Sequence, residues 1–502
     1  MTGEYFDVVI VGAGLSGIGA AHHLQHQCPG KRYVILEGRE AMGGTWDLFR
    51  FPGIRSDSDM HTLGYNFKPW RHAKSIADGP AILKYITDTA AEEDIEKHIR
   101  YRHLVRKAAW SETDASWSID VERNGAGEVV TIRCGFMLMC AGYYSYEQGY
   151  TPEFNGRERF NGEVVHPQTW PEDLNYRDKN VLVIGSGATA VTLVPKLARE
   201  AAHVVMLQRS PTYMVSLPDT DVIANFLRKI LPIKLAYAIT RWKNIRIQQM
   251  VYRRSRKSPD LVRKKLLSLV RKELGPDYDV EKHFNPRYNP WDQRLCLVPN
   301  SDFFQSVKSG DASIVTDEID TFTEKGIRLK SGDELEADII VTATGLNLVQ
   351  LGGADLIVDG EPVDIARTFS YMGMMYSNVP NLVSTFGYIN ASWTLRSDLT
   401  AQYACRVINY MDQSGFRQCT PRLRDEDAGM PERAWITAFS SGYMQRVMHL
   451  FPKQGDKAPW LNTQNYSEDR KLILNRAIDD GVLTFSNPAP ATQVKRPCSA
   501  GA

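Results

Sequence analysis

The apolar positions of this chain fall into two copies of one pattern. Phe6 to Val11 is a strand-like run that stops at Gly12-Ala13-Gly14-Leu15-Ser16-Gly17, and Ile18-Gly19-Ala20-Ala21-His22-His23-Leu24 then continues with helical character. Tyr33-Val34-Ile35-Leu36 is a second buried-strand run and ends on Glu37. The pattern returns where Val181 to Ile184 stops at Gly185-Ser186-Gly187-Ala188-Thr189-Ala190, and His203 to Leu207 closes the second unit with Gln208-Arg209-Ser210. Strand, glycine turn, helix and strand make a βαβ unit. Two of them predict an α/β fold with two Rossmann-like dinucleotide-binding domains.

Each loop has the same physical logic. Glycines permit a tight turn and close backbone approach, and the N-terminus of the next helix receives a pyrophosphate. An acid about 20 residues past the loop binds a ribose hydroxyl and repels a 2′-phosphate. Glu37 holds that place in the first unit, which therefore suits FAD or NAD. In the second unit the place is taken by Arg209 and Ser210, as a 2′-phosphate requires, and Ala190 is a permitted third glycine. The pair reads as FAD first and NADPH second.

Between and after the units the pattern changes. Ser116 to Ile132 alternates as strands, and Phe136 to Cys140 is a strand before Ala141-Gly142. From about 217 to 288 the periodicity turns helical, with Leu227, Ile230, Leu231, Leu235 and Ile239 spacing apolar faces. Between Val222 and Glu273, fifteen Lys and Arg stand against two acids, Asp260 and Glu273. Such a basic stretch is a solvated face or a weak membrane-surface contact. The expected organisation is a FAD-binding domain from 1–150 and again from 346–487, an NADP-binding domain from 151–216 and 289–345, a helical insertion from 217–288 and a flexible tail from 488–502.

Composition narrows the classes. The 502 residues suffice for two or three cores, and a net charge of +1 argues against nucleic-acid partners. Entry into a strand by Phe6 leaves no basic leader, no apolar run approaches a membrane span, and seven cysteines without a Cys-x-x-Cys pair suggest reduced thiols. A cytoplasmic enzyme is expected, with its oligomeric state left open.

Phe160, Gly162, His166 and Trp170, spaced as Phe-x-Gly-x-x-x-His-x-x-x-Trp just before the second loop, form a signature that resembles type I Baeyer–Villiger monooxygenases, within the class B flavoprotein monooxygenases. Gly43-Gly44-Thr45-Trp46, Pro52-Gly53-Ile54-Arg55-Ser56-Asp57, Asn289 to Arg294 and Ala343-Thr344-Gly345 fall in that family's order. Gly44 to Arg50 and Asn390-Ala391-Ser392-Trp393-Thr394 look most like its mycobacterial, ethionamide-activating branch.

The resemblance implies an enzyme that uses FAD, NADPH and O2 to insert oxygen beside a ketone carbonyl through a C4a-peroxyflavin, giving an ester or lactone, with sulfides or thioamides as further substrates. It adds Thr45, Trp46, Asp47, Leu48, Asp57 and Val105 to the FAD site, and Arg55, Ser56 and Asp57 to the NADP site. Arg294 would stabilise the developing oxyanion, suited to this by a charge it cannot lose. Asp57 would orient that arginine. His166, in the linker, is read as a conformational residue and not an acid–base catalyst; Phe160 and Trp170 are read as packing residues. Trp393 lines the substrate pocket or belongs to the core. Gln293 stands where many relatives carry a phosphate-binding lysine, which loosens the preference for NADPH. The alternatives are a flavin N/S-monooxygenase and a non-oxygenating NADPH-binding flavoprotein. A disulfide reductase fails, because no cysteine occurs between Cys28 and Cys134.

Overall fold

The computed structural model describes residues 3–488 except 126 and 438; the tail expected from 488 lies outside the described residues from 489 onward. The first sheet is built around β1 (Glu4–Val11), β2 (Tyr33–Leu36), β3 (Ile99–Arg100), β4 (His103–Ser111), β5 (Ser116–Arg123) and β6 (Glu128–Met139). β1 runs parallel to β2 on one side and to β6 on the other, with Val11 opposite both Leu36 and Met139. This places the end of the first apolar run, and hence Gly12, at the carboxyl edge of the sheet. Alternation in β5 and β6 buries Trp117, Ile119, Val121, Ile132 and Cys134, which form one core with Trp110 of β4. Late segments complete the nine strands: Asp355–Val358 joins β4, Glu361–Pro362 follows it, and Leu382–Ser384 joins β6.

Helices α1 (Leu15–Gln27), α2 (Thr45–Leu48), α3 (Met60–Leu63) and α4 (Gly79–Glu92) belong to the same half. The second sheet is parallel throughout, in the order Ala312–Thr316, His203–Gln208, Asn180–Ile184, Ile339–Thr342, Glu163–Val165. Helix α5 (Ala188–Leu197) starts directly after its glycine loop and buries Ala190, Val191, Leu193 and Val194. Near-continuous apolar strands are what a sheet covered on both faces demands.

The insertion forms α6 (Val222–Ile230), α7 (Ile233–Lys257), α8 (Pro259–Leu274) and α9 (Val280–Phe284). α8 and α9 bury Leu267, Val270, Val280 and Phe284 in the second core. α7 is buried through Ala236, Tyr237, Thr240, Arg241 and Ile245. The Arg241 guanidinium donates to the carbonyls of His61, Thr62 and Gly64 around α3 and faces Asp398 at 3.5 Å. Of the residues that space the apolar faces, Leu227 and Leu231 are half-buried and Ile230, Leu235 and Ile239 are exposed. The periodicity located the helices, but the contacts to α3 choose the buried side. Helix α10 (Asp302–Ser309) lies against α5 and α8, and α11 (Trp393–Ser414) packs along α1. The six described cysteines are free and buried. Among the described residues no helix is long and apolar enough to cross a membrane.

Candidate active site

The first glycine loop, and Ala188 and Thr189 at the end of the second, border one cavity of about 650 Å³. Gly12 has φ 99°, and a Cβ there would sit 2.7 Å from the Cys140 carbonyl oxygen; Gly185 has φ 127°, and its Cβ would sit 2.3 Å from that of Ala343. At both loops a strand end crosses the segment that leaves the neighbouring strand, so a side chain is excluded twice over. Neither α1 nor α5 has a side-chain cap on its first turn, so amide N–H groups remain free at the loop.

Residues that fit the first nucleotide converge. Gly12, Gly14, Ser16, Glu37, Thr45, Trp46, Asp57 and Val105 border the cavity. The Glu37 carboxylate accepts from the backbone N–H of Ala13 at 2.7 Å and of Arg39 at 2.9 Å; burial raises its proton affinity, while those amides oppose the rise. Its position at the end of β2 leaves it beside the loop, as a ribose partner must be. Three expected members are not in the cavity wall. Gly17 lies under the loop, where a Cβ would strike the Gly12 carbonyl at 1.9 Å. Asp47 is buried and paired with Arg39 at 2.7 Å and Arg50 at 3.3 Å, and Leu48 packs on the second core.

For the second nucleotide, Arg55, Ser56, Asp57, Ala188 and Thr189 border the same cavity. Arg55 pairs with Asp302 at 2.6 Å through Nη1, while its buried Nη2 has no partner among the described groups, a donor fitted to an anionic ligand. Gly185, Ser186 and Gly187 form the loop just outside that wall, Ala190 is wholly buried beneath it, and Ser186 Oγ donates to the Ser210 carbonyl at 3.0 Å. Arg209 and Ser210 are exposed at the end of the strand His203–Gln208. That is an outer rim to the nucleotide loop, where a 2′-phosphate would reach.

Arg294 also borders the cavity. It precedes the strand Cys296–Pro299, which pairs in parallel with Met214–Leu217, and its approach is fixed by Asp292. The Asp292 carboxylate accepts from the Asn289 amide at 3.0 Å and pairs with Arg256 of α7; its carbonyl accepts from Ser440. Among the described residues Arg294 makes no ion pair. Burial works against its charge, the nearby Asp57 carboxylate works for it, and the guanidinium keeps its proton. Burial conversely raises the Asp57 pKa, with Arg294 and Arg55 opposing the rise. The expected direct link is absent: no ion pair or side-chain hydrogen bond joins Asp57 to Arg294. The two act on each other through space at the cavity wall, which leaves the guanidinium's donors free of Asp57.

Tyr143 and Tyr144, missed in the sequence, complete the wall together with Trp393. Tyr143 and Tyr144 follow the strand end at Ala141-Gly142, share a 2.8 Å hydroxyl contact and are held strongly protonated by burial, Tyr144 at about 12. Trp393 stacks on Tyr143 with ring centres 5.2 Å apart and donates from Nε1 to Ser16 Oγ at 2.8 Å. Arg39, Tyr146 and Gln168 also border the cavity.

The signature residues divide by position. His166 Nδ1 accepts from the Gln168 amide at 3.1 Å, which leaves Nε2–H to donate to the Gly345 carbonyl at 3.1 Å. Burial lowers its pKa and favours the neutral ring these bonds require. Gly345 O also accepts from the Tyr150 amide at 3.0 Å, and Leu346–Leu348 pairs antiparallel with Tyr144–Gly149. Phe160 packs edge-on to Phe322, Trp170 edge-on to Tyr176, and Gly162 leaves no room for a Cβ beside the Asp338 carbonyl.

Comparison with known proteins adds independent weight. The family described as flavin-binding monooxygenase-like matches residues 72–274, and the NAD(P)-binding Rossmann-like domain family matches residues 10–78. The chain is 53% identical to the FAD-containing monooxygenase EthA of Mycobacterium tuberculosis, over 97% of this chain and 99% of that protein. It is 47% identical to the probable FAD-binding monooxygenase AlmA of Acinetobacter baylyi, over 98% of each. In fold it is similar to a steroid monooxygenase bound to NADP, with a TM-score of 0.78, 22% identity and coverage of 96% of this chain and 100% of that one. Cyclohexanone monooxygenase in an open form gives a TM-score of 0.76 at 20% identity, again over 96% and 100%.

Proposed function

Since the chain belongs to the FAD-containing monooxygenases, we propose that it consumes NADPH and O2 to insert one oxygen atom beside a ketone carbonyl, giving an ester or lactone, with sulfides and thioamides as further substrates. The observation that carries this reading is Arg294: a permanently charged guanidinium without an ion-pair partner among the described residues, facing the cavity that the first glycine loop and the end of the second border. When bound, the flavin supplies the electrons and the site of oxygen activation.

The chain's own residues do the rest. The loop Gly12–Gly17 and Glu37 hold the FAD pyrophosphate and ribose; Arg55, Ser56, Thr189 and the loop Gly185–Ala190 hold NADPH, with Arg209 and Ser210 on its 2′-phosphate. Residues 1–150 and 346–487 then serve FAD, and 151–216 with 289–345 serve NADPH, with 217–288 inserted. Arg294 draws negative charge onto the substrate oxygen as the carbonyl becomes tetrahedral, and the tyrosine hydroxyls with Trp393 keep water from that oxygen. Asp57 tempers the field of Arg294 and Arg55 without occupying their donors.

The test is conversion of a ketone panel with NADPH under ¹⁸O2. One labelled oxygen per ester supports the reading. NADPH oxidation that yields only hydrogen peroxide with every ketone and sulfide would overturn it, and oxygenation confined to sulfides would replace it by soft-nucleophile oxygenation.

A further inference from the structure

The insertion carries an unusual surface. Of the sixteen exposed large hydrophobic residues among those described, twelve lie between Leu217 and Leu261. Val222, Phe226 and Ile230 follow one another at helical spacing on α6, 74%, 59% and 59% exposed. On α7 the stripe Leu235, Ile239, Trp242, Met250 keeps the same spacing, with Trp242 62% and Met250 61% exposed. Exposed cations interleave it: Lys229, Lys234, Arg246 and Arg254 have no acid partner among the described residues, and Arg246 lies over the Trp242 ring at 5.9 Å.

We infer that this face docks on an anionic lipid surface and that the docked side admits the substrate. Large apolar side chains bordered by cations that can extend along their own stems match the boundary between headgroups and acyl chains. The opposite face of α7 is tied by Arg241, Asn244 and Gln248 to α3 and Asp59, so the helix lies along the surface and does not enter it end-on. A second copy of the chain fits poorly, because a two-fold contact would set cations against cations. Nucleic acid would use the charge but leave the apolar stripe in water.

The second half of the inference rests on the proposed oxygenation and adds a substrate class. A smaller cavity of about 180 Å³ opens along the inner edge of α7, lined by Gln249, Tyr252, Arg253, Asn390, Ala391 and Tyr466. Ala391 also borders the large cavity, so the two cavities adjoin at this residue. Arg253 at the mouth of this cavity lies one helical turn from Met250 of the exposed stripe on α7. A lipophilic carbonyl compound dissolved in the bilayer thus meets the entrance on the side that docks.

The experiment is co-flotation of the FAD-loaded enzyme with vesicles of phosphatidylglycerol and phosphatidylcholine, against phosphatidylcholine alone, for wild type and for a Phe226→Glu/Trp242→Glu/Met250→Glu variant. These side chains are exposed, so retained FAD and an unchanged circular dichroism spectrum serve as the folding control. Wild type should float with the anionic vesicles, be released by raised salt, and lose at least about tenfold in partitioning on substitution. The variant should keep its turnover of a water-soluble ketone and lose that of a long-chain ketone presented in vesicles. No flotation of wild type, equal flotation of the variant, or a dimer that buries the face and ignores vesicles would overturn the docking. Flotation with an equal loss on both ketones would overturn the portal. A floating enzyme that oxygenates no ketone would leave docking standing and sink only the proposed reaction.

Discussion

Arg294→Met separates oxygen transfer from NADPH oxidation more sharply than any other single change. Methionine keeps much of the volume and removes the charge. At about 4 Å and an effective dielectric near 20, a guanidinium stabilises a unit negative charge by about 4 kcal/mol, or a rate factor of about 10³. Loss of one donor aimed at a developing oxyanion costs about 10² to 10³, which sets a range of about two to three orders of magnitude. The full charge should count here because no ion pair joins Arg294 to Asp57 and a guanidinium does not lose its proton in a protein. Flavin reduction by NADPH needs no oxyanion partner and should fall little. The assay is ester and hydrogen peroxide formed per NADPH consumed, with anaerobic flavin reduction followed by absorbance. Wild type should couple NADPH to ester; the variant should turn the same NADPH into hydrogen peroxide. An undiminished ester yield would refute the assignment, and an equal loss of flavin reduction would make Arg294 a cofactor-binding residue.

Arg209→Ala should raise the Michaelis constant for NADPH while leaving that for NADH nearly unchanged, because Arg209 stands at the rim where only a 2′-phosphate would reach; equal losses with both would reject it. Asp57→Asn should alter stability with a definite sign. The raised pKa of Asp57 means its contribution to stability is complete below the ordinary carboxylate range and is lost as pH rises through the folded value. The variant's melting temperature should therefore gain on wild type as pH climbs from about 4 toward neutrality, and a gap that is constant or narrows with pH would refute this. Arg396→Met should destabilise by about 3–5 kcal/mol, because Arg396 and Asp469 are each 3% exposed, in contact at 2.5 Å, and Asp469 would remain buried as a lone charge. Adding Asp469→Leu should restore part of that loss in denaturant unfolding, and pure additivity would show that the pair is not coupled.

The nucleotide loops could be read from the chain because their constraints are local. A glycine at Gly12 or Gly185 answers to a backbone angle and a crossing carbonyl, and apolar runs on either side announce the strands. The hairpin of β5 and β6 was legible for the same reason, since alternation is a property of adjacent residues. The cavity wall was less so. Tyr143 and Tyr144 meet Tyr443 around Arg294 only after the chain has traversed the second sheet and returned, and no spacing rule encodes that encounter. Asp47 sits inside a motif yet turns to Arg39 and Arg50, a choice made by two cations outside its own helix. Which stripe of α7 faces outward was not legible, because both of its sides carry apolar residues and periodicity alone does not say which side the buried Arg241 will claim.

The link between the two sheets sets how they can move. The outgoing segment Tyr144–Gly149 and the returning segment Leu346–Leu348 are paired, and one oxygen, that of Gly345, accepts both the Tyr150 amide and the His166 ring. Two separate cords would let the halves swing and twist freely. Two strands laced edge to edge make a ribbon, which bends readily across its flat face but resists bending in its own plane. Relative travel of the halves is thereby confined mainly to one direction, like a door on a leaf hinge. Substituting His166 would remove one of the stitches, and its mark would be a loss of alignment between donor and acceptor rings, with both pockets left intact.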